Sequence, residues 1–84
     1  MENKPRNILG PIIKYYRKKL NLTQDNLIAR LSINGLPMEQ AVLSRIENQE
    51  REIYDYEIII FAEALQITIN ELFVNYKNDT FKTL

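Results

Sequence analysis

The stretch "NLTQDNLIARLSINGLPMEQAVLSRIENQ", residues 21–49, decides how this chain reads. Thr23, Gln24 and Asp25 precede Leu27, Ile28 and Leu31, an apolar stripe at helical spacing. A threonine hydroxyl accepts from an unpaired N–H of a helix's first turn, and an aspartate there faces the positive end of the helix dipole. Leu22 and Leu27 occupy the two positions of a hydrophobic staple. The pattern predicts a helix from Thr23 to residue 33, stopped by a left-handed turn at Asn34-Gly35. Pro37 has no N–H to donate and suits an extended connection. A second helix is predicted over Glu39 to Asn48. Val42, Leu43 and Ile46 face inward, and Gln40, Ala41, Ser44, Arg45 and Asn48 face outward. Eight residues, Ser32 to Glu39, separate Leu31 from Gln40. Leu36 and Met38 are expected to tuck beneath the second helix and make this connection an ordered spacer.

Outward from this unit, "ILGPIIKYYRKKL" (8–20) holds Ile8, Leu9, Ile12, Ile13, Tyr16 and Leu20 at helical spacing. A helix from Gly10 or Pro11 to Leu20 follows, with Pro11 near its start where proline is tolerated. Lys14, Arg17 and Lys18 are expected on the opposite face. "QEREIYDY" (49–56) reads as a charged loop. "DYEIIIFAEALQ" (55–66) reads as a helix burying Ile58, Phe61, Ala62 and Leu65. "ITINELF" (67–73) opens a last helix, with Thr68 and Glu71 as a capping box and Ile67 and Leu72 as its staple. The expected fold class is all-α: five short helices over residues 8–75, an N-terminal arm (1–7) and a short C-terminal tail (76–84).

The 84 residues are enough for one small domain, and an apolar content of 45% is enough for a packed core. There is no Cys and no His, which rules out a disulfide framework, a thiolate metal site and histidine-based acid–base chemistry. The longest apolar run, "IIIFA" (58–62), is far short of the roughly 20 residues a membrane span needs. No membrane association is expected, and a cytoplasmic location is. The 11 basic and 11 acidic side chains cancel. Their distribution does not: residues 1–48 carry eight basic and four acidic side chains (+4), and residues 49–84 carry three and seven (−4). A domain polarised this way presents one basic face to an anion.

"YRKKLNLTQDNLIARL", "LSRIENQ" and "FAEALQITINELF" together, in this order, resemble the Cro/lambda-repressor-like (XRE) helix-turn-helix family over about residues 8–73. The resemblance implies a five-helix lambda-repressor-like DNA-binding domain whose helix 39–48 enters the major groove of double-stranded DNA. It implies that Gln24, beside Thr23 at the start of its helix, sits against a phosphate and supports the recognition helix. Gln40, Ala41, Ser44 and Arg45 match the exposed reading positions, and Asn48 matches a backbone-contacting one. Arg17 and Glu47 match a structural ion pair between the first and third helices. The side chains suit these roles, because Gln pairs with adenine, Arg with guanine, and Ala meets a thymine methyl. Three features depart from the family pattern. The connection is longer than the usual turn of about 3–4 residues. Glu39 puts an acid at the front of the reading helix, where a cytosine amino group could satisfy it. Gln49 stands where the family commonly has Gly.

The expected function is therefore a sequence-specific DNA-binding transcriptional regulator, a repressor of bacterial or phage type. It would act as a homodimer on a two-fold operator. Phosphate contacts would come from Gln24, Asn48 and the basic residues of the first helix. Phe73, Val74, Tyr76, Phe81 and Leu84 are the apolar residues available for pairing. The alternative is a protein-interaction module, antitoxin-like or anti-repressor, meeting a protein partner through the acidic loop 49–57 and the helix after it. No enzyme activity and no cofactor or metal are expected. There is no glycine-rich phosphate loop, and Glu50, Glu52, Asp55 and Glu57 read as a solvated acidic loop.

Overall fold

Asn7, Thr23, Glu57 and Thr68 each lie close to a helix start, and each turns a side-chain oxygen toward an otherwise unpaired backbone N–H. Asn7 Oδ1 accepts from Gly10 N at 2.8 Å. Thr23 Oγ1 accepts from Asn26 N at 3.0 Å while Asn26 Oδ1 accepts from Thr23 N at 3.1 Å. Glu57 reaches back to Tyr54 N at 2.9 Å. Thr68 and Glu71 bond reciprocally at 3.0 and 2.8 Å. The computed structural model describes residues 4–77, and side chains up to residue 74. Among the described residues it has five helices and no strand: α1 (Gly10–Lys19), α2 (Gln24–Ile33), α3 (Gln40–Glu47), α4 (Asp55–Leu65) and α5 (Ile69–Lys77). The architecture is all-α, as the apolar periodicities predicted.

Helices α1 to α4 all stop by the same device, a left-handed residue followed by a return bond to the third-last turn residue. In α1 the bonds are Asn21 N to Lys18 O (2.9 Å) and Leu22 N to Arg17 O (3.0 Å). In α2 they are Gly35 N to Ser32 O (3.0 Å) and Leu36 N to Leu31 O (2.8 Å). In α3 they are Gln49 N to Ile46 O (3.0 Å) and Glu50 N to Arg45 O (2.7 Å). In α4 they are Gln66 N to Glu63 O (3.1 Å) and Ile67 N to Ala62 O (3.0 Å). The left-handed residue is a glycine only in α2, where Gly35 has φ +93°; Asn21, Gln49 and Gln66 take φ of 60°, 63° and 60°. Asn34, expected to share the left-handed turn, stays at φ −89°. One such residue is enough to reverse the chain.

The core is one cluster drawn from all five helices and the residue before the first. Leu9, Ile12, Ile13, Leu27, Leu31, Leu43, Ile46, Phe61, Ala62, Ala64, Leu65 and Leu72 are buried in it. Each fully buried Leu, Ile or Phe contributes about 1.5–3 kcal/mol relative to exposure. Leu36 and Met38 pack against this cluster from the α2–α3 connection, so the six residues Asn34–Glu39 are an ordered spacer. Arg30 Nη1 donates to Ala64 O at 3.1 Å, tying α2 to an end carbonyl of α4.

Four expectations need correction. Ile8 and Leu20, at helical spacing with the buried residues, are exposed, at 41% and 36%, whereas Leu9 beside Ile8 is buried. Arg17, placed by the helical period on the outer face with Lys18, is instead buried, in the ion pair with Glu47 that the resemblance implies. The acidic loop is not uniformly solvated either. Glu57 is buried against Arg51, with Nη1–Oε1 at 2.9 Å and Nη2–Oε2 at 3.1 Å, and Arg51 also lies 5.2 Å from the Tyr54 ring centroid. The Glu57 bond holds the Arg51 pKa above its ordinary value. Ile58, expected in the core, is half-buried against it.

The start of α1 abuts the end of α3. A Cβ on Gly10 would lie 2.2 Å from Ile46 O and 3.1 Å from Glu47 O, so no side chain fits there. Asn7 Nδ2 fastens this junction by donating to Ile46 O (3.0 Å) and Arg51 O (2.8 Å). Arg6 N donates to Gln49 O at 2.9 Å, Gln49 Nε2 to Asn7 O at 2.9 Å, and Arg6 pairs with Glu52. Arg6 and Asn7, read as arm from the sequence, are bonded into the fold.

Candidate functional site

The outward face of α3 is built from beneath. Arg17 of α1 and Glu47 at the end of α3 are 7% and 4% exposed. Taking two charges out of water costs several kcal/mol each unless they pair closely. Here they pair twice, Nε–Oε2 at 2.7 Å and Nη2–Oε1 at 3.1 Å, and Arg17 Nη1 also donates to Leu22 O at 2.8 Å. The relay continues outward. Gln24 Nε2 donates to Glu47 Oε1 at 3.0 Å, and Gln40 Nε2 donates to Gln24 Oε1 at 3.0 Å. No buried side-chain nitrogen or oxygen among the described residues lacks a partner.

This relay fixes orientation. A carboxylate only accepts, so the Gln24 nitrogen must face Glu47 and its oxygen must face Gln40. Gln40 then spends one N–H on Gln24. It keeps its other N–H and its carbonyl oxygen, one donor beside one acceptor, on an exposed side chain. Ala41, Arg45 and Asn48 are exposed on the same helix and Ser44 is half-buried. The Arg45 guanidinium has no ion pair or hydrogen bond among the described residues. Glu39 is exposed in extended backbone just before α3 and makes no capping bond. The Thr23 hydroxyl oxygen is occupied as the α2 cap, leaving its hydrogen free to donate outward.

The structure thus brings Arg17, Gln24, Gln40 and Glu47 together and leaves Glu39, Ala41, Arg45 and Asn48 as an open row. Gln24 bonds both ends of α3, through Gln40 and Glu47, so it supports that helix as well as facing outward. Asn7 and Gln49, which brace the end of α3, are missed by sequence reading. Single polar side chains bonding to distant backbone leave no periodic signal. Of the apolar residues expected for pairing, Phe73 packs on the core and Val74 is exposed; the Tyr76 side chain, Phe81 and Leu84 lie outside the described residues. Comparison with family models, curated proteins and solved structures finds no match to this chain.

Proposed function

We propose that this domain is a sequence-specific DNA-binding transcriptional regulator, a repressor of the Cro/lambda-repressor-like type, with α3 in the major groove. The observation that carries the reading is the relay Arg17–Glu47–Gln24–Gln40, which ends in an exposed amide of fixed orientation at the first position of α3. The donor and acceptor left on Gln40 complement N7 and the N6 amino group of adenine. Arg45 offers a fork for guanine, Ala41 a methyl for thymine, and Ser44 reads either. Thr23, Gln24 and Asn48 set register through phosphates, and Glu39 accepts from a cytosine amino group. One α3 of eight residues covers few base pairs, so the regulator acts as a homodimer, in the cytoplasm. Selection of binders from random duplexes, followed by sizing of the complex, tests this. An enriched two-fold motif supports it, and no enrichment with salt-independent binding overturns it.

A second reading, a protein-interaction module, rests on a different observation. Tyr56 and Ile59 lie exposed along α4, and Ile33 at the end of α2 is 84% exposed. Large exposed apolar side chains of this kind suit a protein partner. Gln40→Glu with Arg45→Glu separates the two readings: operator binding is lost under the first, and a protein complex survives under the second.

A further inference from the structure

A two-helix reading unit needs a turn of only about 3–4 residues, and Asn34–Glu39 takes six. The added length builds a groove. Leu36, Pro37 and Met38 of the connection and Val42 of α3 line an open hollow of about 480 Å³, together with Arg51 and Glu57. Leu36, Met38 and Val42 are half-buried and Pro37 is exposed, so the core leaves part of this apolar surface uncovered. Charge decides what fills it. Arg51 Nη1 donates to Glu52 O at 2.8 Å and to Glu57 Oε1 at 2.9 Å, and Nη2 donates to Glu57 Oε2 at 3.1 Å. Glu57 Oε1 also accepts from Tyr54 N at 2.9 Å. These two charges cancel each other. Glu39 lines the groove as well, is exposed, and has no ion pair or hydrogen bond from its side chain among the described residues. The groove is therefore apolar with one uncompensated negative charge.

That charge repels a phosphate backbone. A small molecule fits poorly too, because ligand sites enclose about 70–90% of their ligand and this hollow is open. An apolar face with one cation beside it is the complement, and an amphipathic helix laid into a groove supplies both. We propose that this groove docks a basic amphipathic helix of a protein partner, and that docking displaces DNA. The partner's apolar side chains lie against Met38 and Val42, and its Lys or Arg meets Glu39. Glu39 immediately precedes Gln40, the first residue of α3. The carboxylate that accepts from a cytosine amino group is then held by the partner's cation, and the partner's bulk stands beside Gln40. Displacement rests on the DNA-binding reading; docking does not. Ile33, Tyr56 and Ile59 do not line this groove, so it is separate from the exposed apolar residues of α2 and α4.

The test is selection of peptides from a phage-displayed random library on the full chain, followed by anisotropy titration of the most enriched peptide, synthesised with a fluorescent label. Enriched sequences should carry apolar residues at helical spacing beside a Lys or Arg. The peptide is expected to bind wild type and Glu63→Lys alike and Glu39→Lys about tenfold more weakly, since reversal replaces a charge attraction with a repulsion. Glu63 is exposed on α4 outside the groove and controls for general attraction. Circular dichroism melts confirm that both variants are folded. Amide shifts in NMR spectra should centre on residues 36–42. No enrichment, equal weakening by the two reversals, or shifts centred on Ile33 and Ile59 would overturn the docking. Concentration-dependent shifts at 36–42 without peptide would give the groove to a second copy of this chain and overturn it as well. Unlabelled peptide should release a labelled selected duplex, and simultaneous binding of both overturns displacement. If the chain binds a duplex and no peptide, docking falls and the DNA-binding reading stands. If it binds the peptide and no duplex, docking stands and displacement falls with the DNA-binding reading.

Discussion

Gln40 donates to Gln24 Oε1 at 3.0 Å, and this bond joins the first residue of α3 to the first residue of α2. Gln24 in turn donates to Glu47, seven residues and two turns further along α3. One amide thereby spans the outward helix and orients its leading side chain. Gln40→Ala is expected to change stability by no more than about 0.5 kcal/mol, because the side chain is exposed. Discrimination at one base position should fall by about 1–3 kcal/mol. Duplex selection alongside a urea melt checks both, and unchanged base preference would show that Gln40 does not read sequence.

The buried pair beneath it should behave asymmetrically. Arg17→Met leaves Glu47 without its cation and is expected to cost about 3–5 kcal/mol. Arg17→Met with Glu47→Leu removes both charges and should recover much of that loss. A double-mutant cycle by urea unfolding measures the coupling. Simple additivity would mean that the two side chains do not depend on each other.

Gln66 holds a left-handed backbone, and among the described residues its side chain makes no hydrogen bond. Left-handed φ costs a non-glycine residue about 1–2 kcal/mol, and glycine's greater unfolded-state freedom returns part of this. Gln66→Gly is expected to stabilise the domain by roughly 0.5–1 kcal/mol in chemical denaturation. Gln49→Gly should gain less, since it also removes the bond to Asn7 O. A destabilised Gln66→Gly would show that the side chain contributes more than its backbone strain costs.

Glu52 introduces a pH dependence of definite sign. A bond to its own backbone N–H, and then its pairing with Arg6, hold its carboxyl below the usual range. A carboxyl with a folded pKa below its unfolded value adds stability above the unfolded pKa, about 4.3 for Glu. That stability is lost as pH falls through the folded value. Wild type and Glu52→Gln should therefore differ in Tm near neutrality and converge on acidification below pH ~4. A gap that persists at low pH would assign the effect to something other than this charge.

The helices were legible along the chain because each carries a local signature. Thr23 before a Leu27–Ile28–Leu31 stripe, and Thr68 three residues before Glu71, are patterns that neighbouring residues complete among themselves. The ordered α2–α3 spacer was legible for the same reason, from Gly35 and the apolar Leu36 and Met38. Exposure at the helix ends was not: Ile8, Leu9 and Leu20 all lie outside the helix, and packing against neighbouring elements, not the 3.6-residue period, buries Leu9 and leaves the other two exposed.

The sequence by itself determined five helices, their starts, and the outward row Gln40, Ala41, Ser44, Arg45 and Asn48. The Arg17–Glu47 pair was implied by resemblance alone, since nothing in the local pattern separates Arg17 from Lys18; tertiary structure decided which of these charges faces water. Arg17 and Lys18 are adjacent in the chain and equally basic. Only the approach of α3 to α1, permitted by the missing side chain at Gly10, buries the first against Glu47 and leaves the second in an open groove. Charge pairing depends on which residues are brought within a few ångströms, and that distance is set by packing of the shared core.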